Sequence, residues 1–164
     1  MRQWPLEKFS ELIELLLGQR NLNVAIIGGA DEQEVTARVL KDIPRSRRIF
    51  NLVGKLSLTE LPKVLARAAL FVGNNSGPQH LAASLGVPTI GIHSGVVDAH
   101  EWGPSGPRGV ALRRQVSCSP CFVEHRKDCP RELACLTGLE SGEVFTRCMR
   151  MLNLSTHAHE SSCA

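Results

Sequence analysis

Apolar residues return at helical spacing near the start of the chain: Leu6, Phe9, Leu12, Ile13, Leu16 and Leu17 fall on one face. Pro5 suits a first helical turn and Gly18 a C-terminal stop. The run Asn23-Val24-Ala25-Ile26-Ile27 then predicts a buried strand that feeds a tight turn at Gly28-Gly29. Asp31 is placed to cap a second helix with Val35, Val39 and Leu40 on one face, closed by Pro44. Residues 49–53 read as a second strand. Ser57 and Glu60 have capping-box spacing ahead of Leu61, Val64 and Leu65, with Pro62 near that helix start. Residues 69–72 predict a third strand, running into the polar turn Gly73-Asn74-Asn75-Ser76-Gly77-Pro78. A helix from about Gln79 to Leu85 follows, stopped by Gly86 with Pro88 beyond, and residues 89–92 give a fourth strand.

Strands alternating with helices predict an α/β fold: a Rossmann-like parallel sheet with helices on both faces. Ligands of such sheets bind at the C-terminal ends of the strands, where the loops gather. The chain reads as one domain over residues 1–154, with a cysteine-rich loop at 116–136 and a polar, flexible tail at 155–164. No repeat or low-complexity segment interrupts it.

Composition narrows the classes. With 43% hydrophobic and 21% charged residues among 164, the chain can bury a core and is not of disordered type. The net charge of +3 is mild, and basic residues cluster only at Arg45, Arg47 and Arg48 and at Arg113 and Arg114, so nucleic acid is not an expected partner. No apolar run approaches the ~20 residues that span a bilayer, and the N-terminus lacks the apolar core of a signal peptide. A cytoplasmic location is expected, possibly peripheral at the inner membrane face.

The segment Gly73-Asn74-Asn75-Ser76-Gly77-Pro78-Gln79-His80 lies between a buried strand and a helix start. Free N–H groups and the helix dipole there favour a diphosphate, glycines permit close approach, and Asn75, Ser76 and His80 can add hydrogen bonds. The alternative is an ordinary polar cap with a surface histidine. Lys55, after Gly54 and the second strand, can meet a phosphate or a base, or be a solvated lysine. Glu32 stands where a carboxylate often holds a ribose hydroxyl, or it is simply favoured by a helix start. Gly28-Gly29-Ala30 is part of a dinucleotide fingerprint without its full spacing. Asp98, His100 and Glu101 follow the fourth strand, as a sugar-facing or proton-transfer group or as solvated loop. The cysteines at Cys118, Cys121, Cys129 and Cys135 could hold a structural zinc, although the second pair is wider than a usual knuckle. The alternative is four thiols packing a small loop.

Taken together, these segments resemble the C-terminal domain of glycosyltransferase family 9, which includes the ADP-heptose:lipopolysaccharide heptosyltransferases. The resemblance runs from about Trp4 to Leu152 and is most specific from Gly54 to Gly95; the Arg2-to-Pro5 segment, the Gly28-Gly29 turn and the CSPC run at Cys118–Cys121 also fit. It implies the C-terminal half of a GT-B glycosyltransferase, the half that holds a nucleotide-diphosphate sugar such as ADP-heptose. The acceptor, a glycan or lipid-linked hydroxyl, and the catalytic base would belong to a separate N-terminal domain. The resemblance puts Arg2 near the diphosphate, Glu32 on the ribose and Lys55, Leu56 and Ser57 along the adenine. It puts Asn74, Asn75, Ser76, Gly77 and His80 in the phosphate- and sugar-contacting loop.

Two departures stand out. Many family members have aspartate where this chain has Asn75, and the Gly95-Val96-Val97-Asp98 loop differs from the commoner GPTD form. Both point to an altered sugar preference. The resemblance implies transfer that requires no cofactor, with the leaving diphosphate stabilised by helix N–H groups, Arg2 and Ser76. A binding module that holds the nucleotide sugar without transferring it is the alternative.

Overall fold

The computed structural model describes residues 3–123 and 125–160, and of these the side chains of all but 126 and 153–160. The helices are α1 (Leu6–Leu17), α2 (Gln33–Leu40), α3 (Leu61–Leu65), α4 (Gly77–Ser84), α5 (Ala99–Trp102), α6 (Ala134–Thr137) and α7 (Ser141–Glu160). The strands are β1 (Val24–Ile26), β2 (Ile49–Asn51), β3 (Phe71–Asn74), β4 (Thr89–Ile92) and β5 (Gly109–Leu112). Single 3-10 turns occupy Ala30–Glu32 and Arg126–Asp128.

All pairings are parallel. β1 pairs with β2 in the register Val24 to Ile49, and β3, β4 and β5 form a second ladder with β4 in the middle. The expected alternation is therefore present, with three differences. The strands hydrogen-bond in two ladders, β5 was not anticipated, and β3 starts two residues later than the apolar run and continues into Gly73 and Asn74. Backbone pairing with β4 (Gly73 to Gly91, Asn74 to Ile92) holds these polar residues extended.

The alternation of side chains along β3 and β4 defines two faces. Val72, Ile90 and Ile92 turn to a core with Trp4, Leu12, Leu136, Val144 and Cys148 from α1, α6, α7 and the N-terminal segment. Phe71 turns the other way, onto Leu65, Ala82 and Val87 from the α3 and α4 side. Helices thus cover both faces, as the pattern predicts. Ile27, just past β1, joins that second cluster, and a third cluster of Ile13, Val39 and Ile43 seals α1 and α2 against β1 and β2. All four β4 residues are buried, the mark of a central parallel strand. Burying Ile90 and Ile92 contributes about 1.5–3 kcal/mol each.

Trp4 anchors the N-terminal segment. Its ring is fully buried, meets Phe9 edge-on at 5.0 Å, and donates from Nε1 to the Leu139 carbonyl at 3.0 Å. Lys8 reinforces the same contact by donating to the Thr137 and Leu139 carbonyls and pairing with Glu140 at 2.9 Å. Among the described residues no helix is long and apolar enough to cross a membrane.

Candidate functional site

The loop after β3 is the most developed candidate. Asn75 is buried, and its backbone N–H donates to the Ile92 carbonyl at 3.1 Å, extending the β3–β4 ladder by one rung. Its side-chain Nδ2 is buried without a hydrogen-bond partner among the described residues. A buried donor left unpaired is rare and calls for an explanation such as a missing ligand. Ser76 is the N-cap of α4 in extended conformation, yet its hydroxyl makes no cap bond and stands exposed. The N–H groups of Gln79 and His80 turn back to the Ser76 carbonyl, and Pro78 has none. The backbone donors left for an anion are thus those of Ser76 and Gly77, a smaller set than the sequence suggests. His80 follows in the first turn, half-buried.

Asn74 has a different part from the one expected. It closes β3, and its Oδ1 accepts the Trp4 backbone N–H at 2.9 Å. This bond brings the N-terminal segment to the mouth of the loop. Arg2, two residues before Trp4, lies outside the described residues.

Glu32, Lys55, Leu56 and Ser57 gather at the ends of β1 and β2. The Gly54 N–H donates to the Gly28 carbonyl at 3.0 Å, so the two loops touch. Gly54 has φ of +70°, and a Cβ there would come 3.1 Å from the Ala30 Cα, so only glycine fits without strain. Glu32 is exposed and accepts the Gly29 N–H at 2.8 Å. Lys55 is exposed and donates to the Asn51 carbonyl at 2.8 Å. Leu56 is half-buried.

Ser57 and Glu60 form the expected capping box, with the Ser57 N–H donating to Glu60 Oε2 at 2.9 Å and the Glu60 N–H to Ser57 Oγ at 3.3 Å. The Ser57 hydroxyl also donates to that carboxylate at 2.7 Å, which holds Glu60 below the ordinary carboxylate range.

Asp98 does not lie in an open loop. It caps the short α5, accepting the His100 N–H at 2.8 Å, and so starts a helical turn that contains His100 and Glu101.

The four cysteines are not brought together. Cys135 is buried in the main core, Cys129 accepts the Leu133 N–H, and Cys118 and Cys121 are half-buried. Among the described residues no three His, Cys, Asp or Glu side chains are grouped to hold a metal ion. What the cysteine-rich loop does is brace the loop after β4. The Cys121 and Phe122 N–H groups donate to the Gly95 and Val96 carbonyls at 2.9 and 3.0 Å, and Arg113 donates to Ser119 Oγ at 2.7 Å. A shallow groove lined by α1 and α7 residues, among them Glu11, Leu15 and Phe145, contains none of the residues named above.

Two residues without an assigned part in the sequence reading, Gln79 and His93, are fully buried beside the loop and hydrogen-bonded to each other. The signal for them was available: a glutamine within the first turn of a helix and a histidine directly after a wholly apolar strand.

A parallel α/β domain with polar loops at its C-terminal strand ends is built to receive a ligand there. The comparisons define it further. The glycosyltransferase family 9 (heptosyltransferase) pattern matches residues 1–130, and the chain belongs to that family. It is 31% identical over 164 aligned residues to lipopolysaccharide heptosyltransferase 1 of Pseudomonas aeruginosa, covering 92% of this chain and 44% of the relative. It is 30% identical over 109 residues to lipooligosaccharide heptosyltransferase 2 of Haemophilus influenzae, covering 65% and 29%. The fold superposes on Escherichia coli ADP-heptose lipopolysaccharide heptosyltransferase II with a TM-score of 0.78 at 19% identity, over 94% of this chain and 43% of that one. An E. coli heptosyltransferase solved with ADP gives 0.68 at 25% identity, over 92% and 40%. The chain thus spans less than half the length of these relatives.

Proposed function

We propose that the chain is the donor-binding part of a heptosyltransferase-like glycosyltransferase. It holds a nucleoside-diphosphate sugar at the strand ends, for transfer to a hydroxyl of lipopolysaccharide or another glycoconjugate. The observation that carries this reading is the buried, unpartnered amide of Asn75 at the N-terminus of α4, beside the uncommitted Ser76 hydroxyl and the Gly77 N–H. A donor sugar or diphosphate oxygen supplies the missing acceptor. ADP and an ADP-heptose analogue are present in solved relatives, which makes ADP-heptose the first donor to try.

In this reading Ser76, Gly77 and Arg2 meet the diphosphate. Glu32 meets the ribose, and Lys55, Leu56 and Ser57 line the base. His80 and Asp98 face the sugar. Fixed donors at the leaving diphosphate stabilise the charge that develops as the glycosidic bond breaks, without reorganisation. The attacking hydroxyl needs a general base. A separate N-terminal domain supplies that base and the acceptor, at the cytoplasmic face of the inner membrane. This chain alone therefore binds donor and transfers weakly or not at all.

The test follows thermal unfolding with ADP, UDP, GDP, ADP-heptose and UDP-N-acetylglucosamine. A ligand at 100 times its Kd adds about 2.7 kcal/mol, several degrees for a domain of this size. A shift with one nucleotide series that weakens in Ser76→Ala supports the reading. No shift with any ligand on folded protein defeats it.

A further inference from the structure

The face of β4 that turns to α4 carries Thr89 and Gly91, and His93 follows on the same side. His93 and Gln79 are both 0% exposed, and His93 Nε2 lies 3.1 Å from Gln79 Oε1. Gly91 makes the niche. A Cβ there would overlap the Gln79 amide and come 2.8 Å from His93 Nε2. The other end of the amide, Nε2, lies 3.5 Å from the Trp102 carbonyl, at the close of α5. That carbonyl can only accept, so it orients the amide with Oε1 toward the imidazole, and His93 must donate from Nε2. One buried side chain thus touches the helix that begins at the 75–77 loop, the end of β4, and the segment from Ser94 to Trp102 that carries Asp98.

We infer that Gln79 is a positioning residue that fixes the spacing between the diphosphate loop at 75–77 and the sugar-side segment at 94–102. The inference rests on the donor-site reading above. A buried, satisfied polar contact has one geometry where apolar packing has several, so it holds two loops in register. Without it each side of the site keeps its own shape, but the two no longer meet one ligand together. A nucleoside diphosphate, held on the 75–77 side, is then affected less than a nucleotide sugar, which needs both.

The experiment measures calorimetric affinities for ADP and ADP-heptose in the wild-type chain and in Gln79→Met. The expected result is a loss for ADP-heptose about tenfold greater than the loss for ADP, equivalent to about 1.4 kcal/mol. A merely structural role lowers the folded fraction and weakens both ligands equally. An unchanged ratio of the two affinities in folded Gln79→Met therefore overturns the inference and leaves the donor-site reading intact. A wild-type chain that binds neither ligand overturns both. Should Gln79→Met not fold, Gln79→Met/His93→Phe removes both polar partners together, which can restore stability, and the same ratio decides. Nitrogen-15 NMR adds an independent readout: a neutral His93 protonated on Nε2 agrees with the geometry, and protonation on Nδ1 contradicts it.

Discussion

The backbone N–H of Trp4 donates to Oδ1 of Asn74, a bond of 2.9 Å between residues 70 positions apart. It joins the start of the chain to the last residue of β3. Trp4 is held at its other end by the Leu139 carbonyl, so its indole spans from the strand end to the segment between α6 and α7. Trp4→Ala should cost about 3–5 kcal/mol, because a fully buried indole leaves a cavity. Trp4→Phe should cost about 1–2 kcal/mol, since Lys8 still donates to Leu139. Urea unfolding of both variants checks the difference. Asn74→Asp keeps the acceptor and should be near neutral, whereas Asn74→Leu should loosen the N-terminal segment.

Asn75 separates stability from binding. Asn75→Ala removes a buried donor that has no partner among the described residues. An unsatisfied group of this kind costs about 1–3 kcal/mol, so its removal should offset the lost packing. The variant should melt within a few degrees of wild type, or above it, while affinity for the nucleotide sugar falls about tenfold or more. A melting curve and a titration on one preparation decide it. A large fall in melting temperature would mark Asn75 as structural.

Arg48 supplies the stop that glycine was expected to give. Gly18 follows α1 with φ of −60°, so it does not use its left-handed freedom. Instead the Arg48 guanidinium donates to the carbonyls of Leu17, Gln19 and Leu22 at 2.6, 2.7 and 3.3 Å. A cation at a helix C-terminus is also favoured by the dipole. Arg48→Ala should destabilise by about 2–3 kcal/mol. Arg48→Lys should recover less than half of that, because an ammonium lacks the planar fork that reaches three carbonyls. Denaturant midpoints of the three proteins give the comparison.

This residue also shows where sequence reading ends. Arg45, Arg47 and Arg48 look alike in the sequence, and nothing local marks one of them as turning inward to a helix 30 residues earlier. The strands and helices were legible because each carries its own period, and the wholly apolar run at 89–92 matched β4 at both ends. β5 was missed because Gly109-Val110-Ala111-Leu112 is short and lacks strong strand formers apart from Val110; pairing with β4 makes it a strand. The loop residues from Asn74 to His80 were legible as a group. Their division of labour was not, because it depends on Trp4 reaching Asn74 and on the Gln79–His93 contact, both long-range. The spacing of the cysteines suggested a metal centre, while their burial is set by which of them the core takes.

The capping box of α3 predicts a pH effect with a definite sign. Ser57 stabilises the charged form of Glu60, so the folded pKa lies below the ordinary glutamate value. A depressed carboxylate contributes stability that is fully present above the unfolded pKa and lost as pH falls through the folded one. Ser57→Ala should raise the Glu60 titration midpoint toward the ordinary value and flatten the stability profile on the acid side of that value. Carbon-13 NMR of the side-chain carboxyl follows the midpoint directly.

The cysteines should divide by reactivity along the line of burial. Cys148 is fully buried in the main core, and desolvation pushes its thiol up to about 12. Only the thiolate is nucleophilic, so Cys148 should resist alkylation in the native state at pH 8, as should the buried Cys135. Cys118, Cys121 and Cys129 are half-buried and should react first. Timed iodoacetamide labelling with peptide mass spectrometry orders the five. The same measurement tests a structural zinc on Cys118, Cys121, Cys129 and Cys135. A bound zinc would protect all four until a chelator is added, because its ligands are tied up as coordinated thiolates. Labelling of Cys118, Cys121 and Cys129 at unchanged rates with and without chelator would exclude it and leave these thiols the task of packing the loop that braces residues 95 and 96.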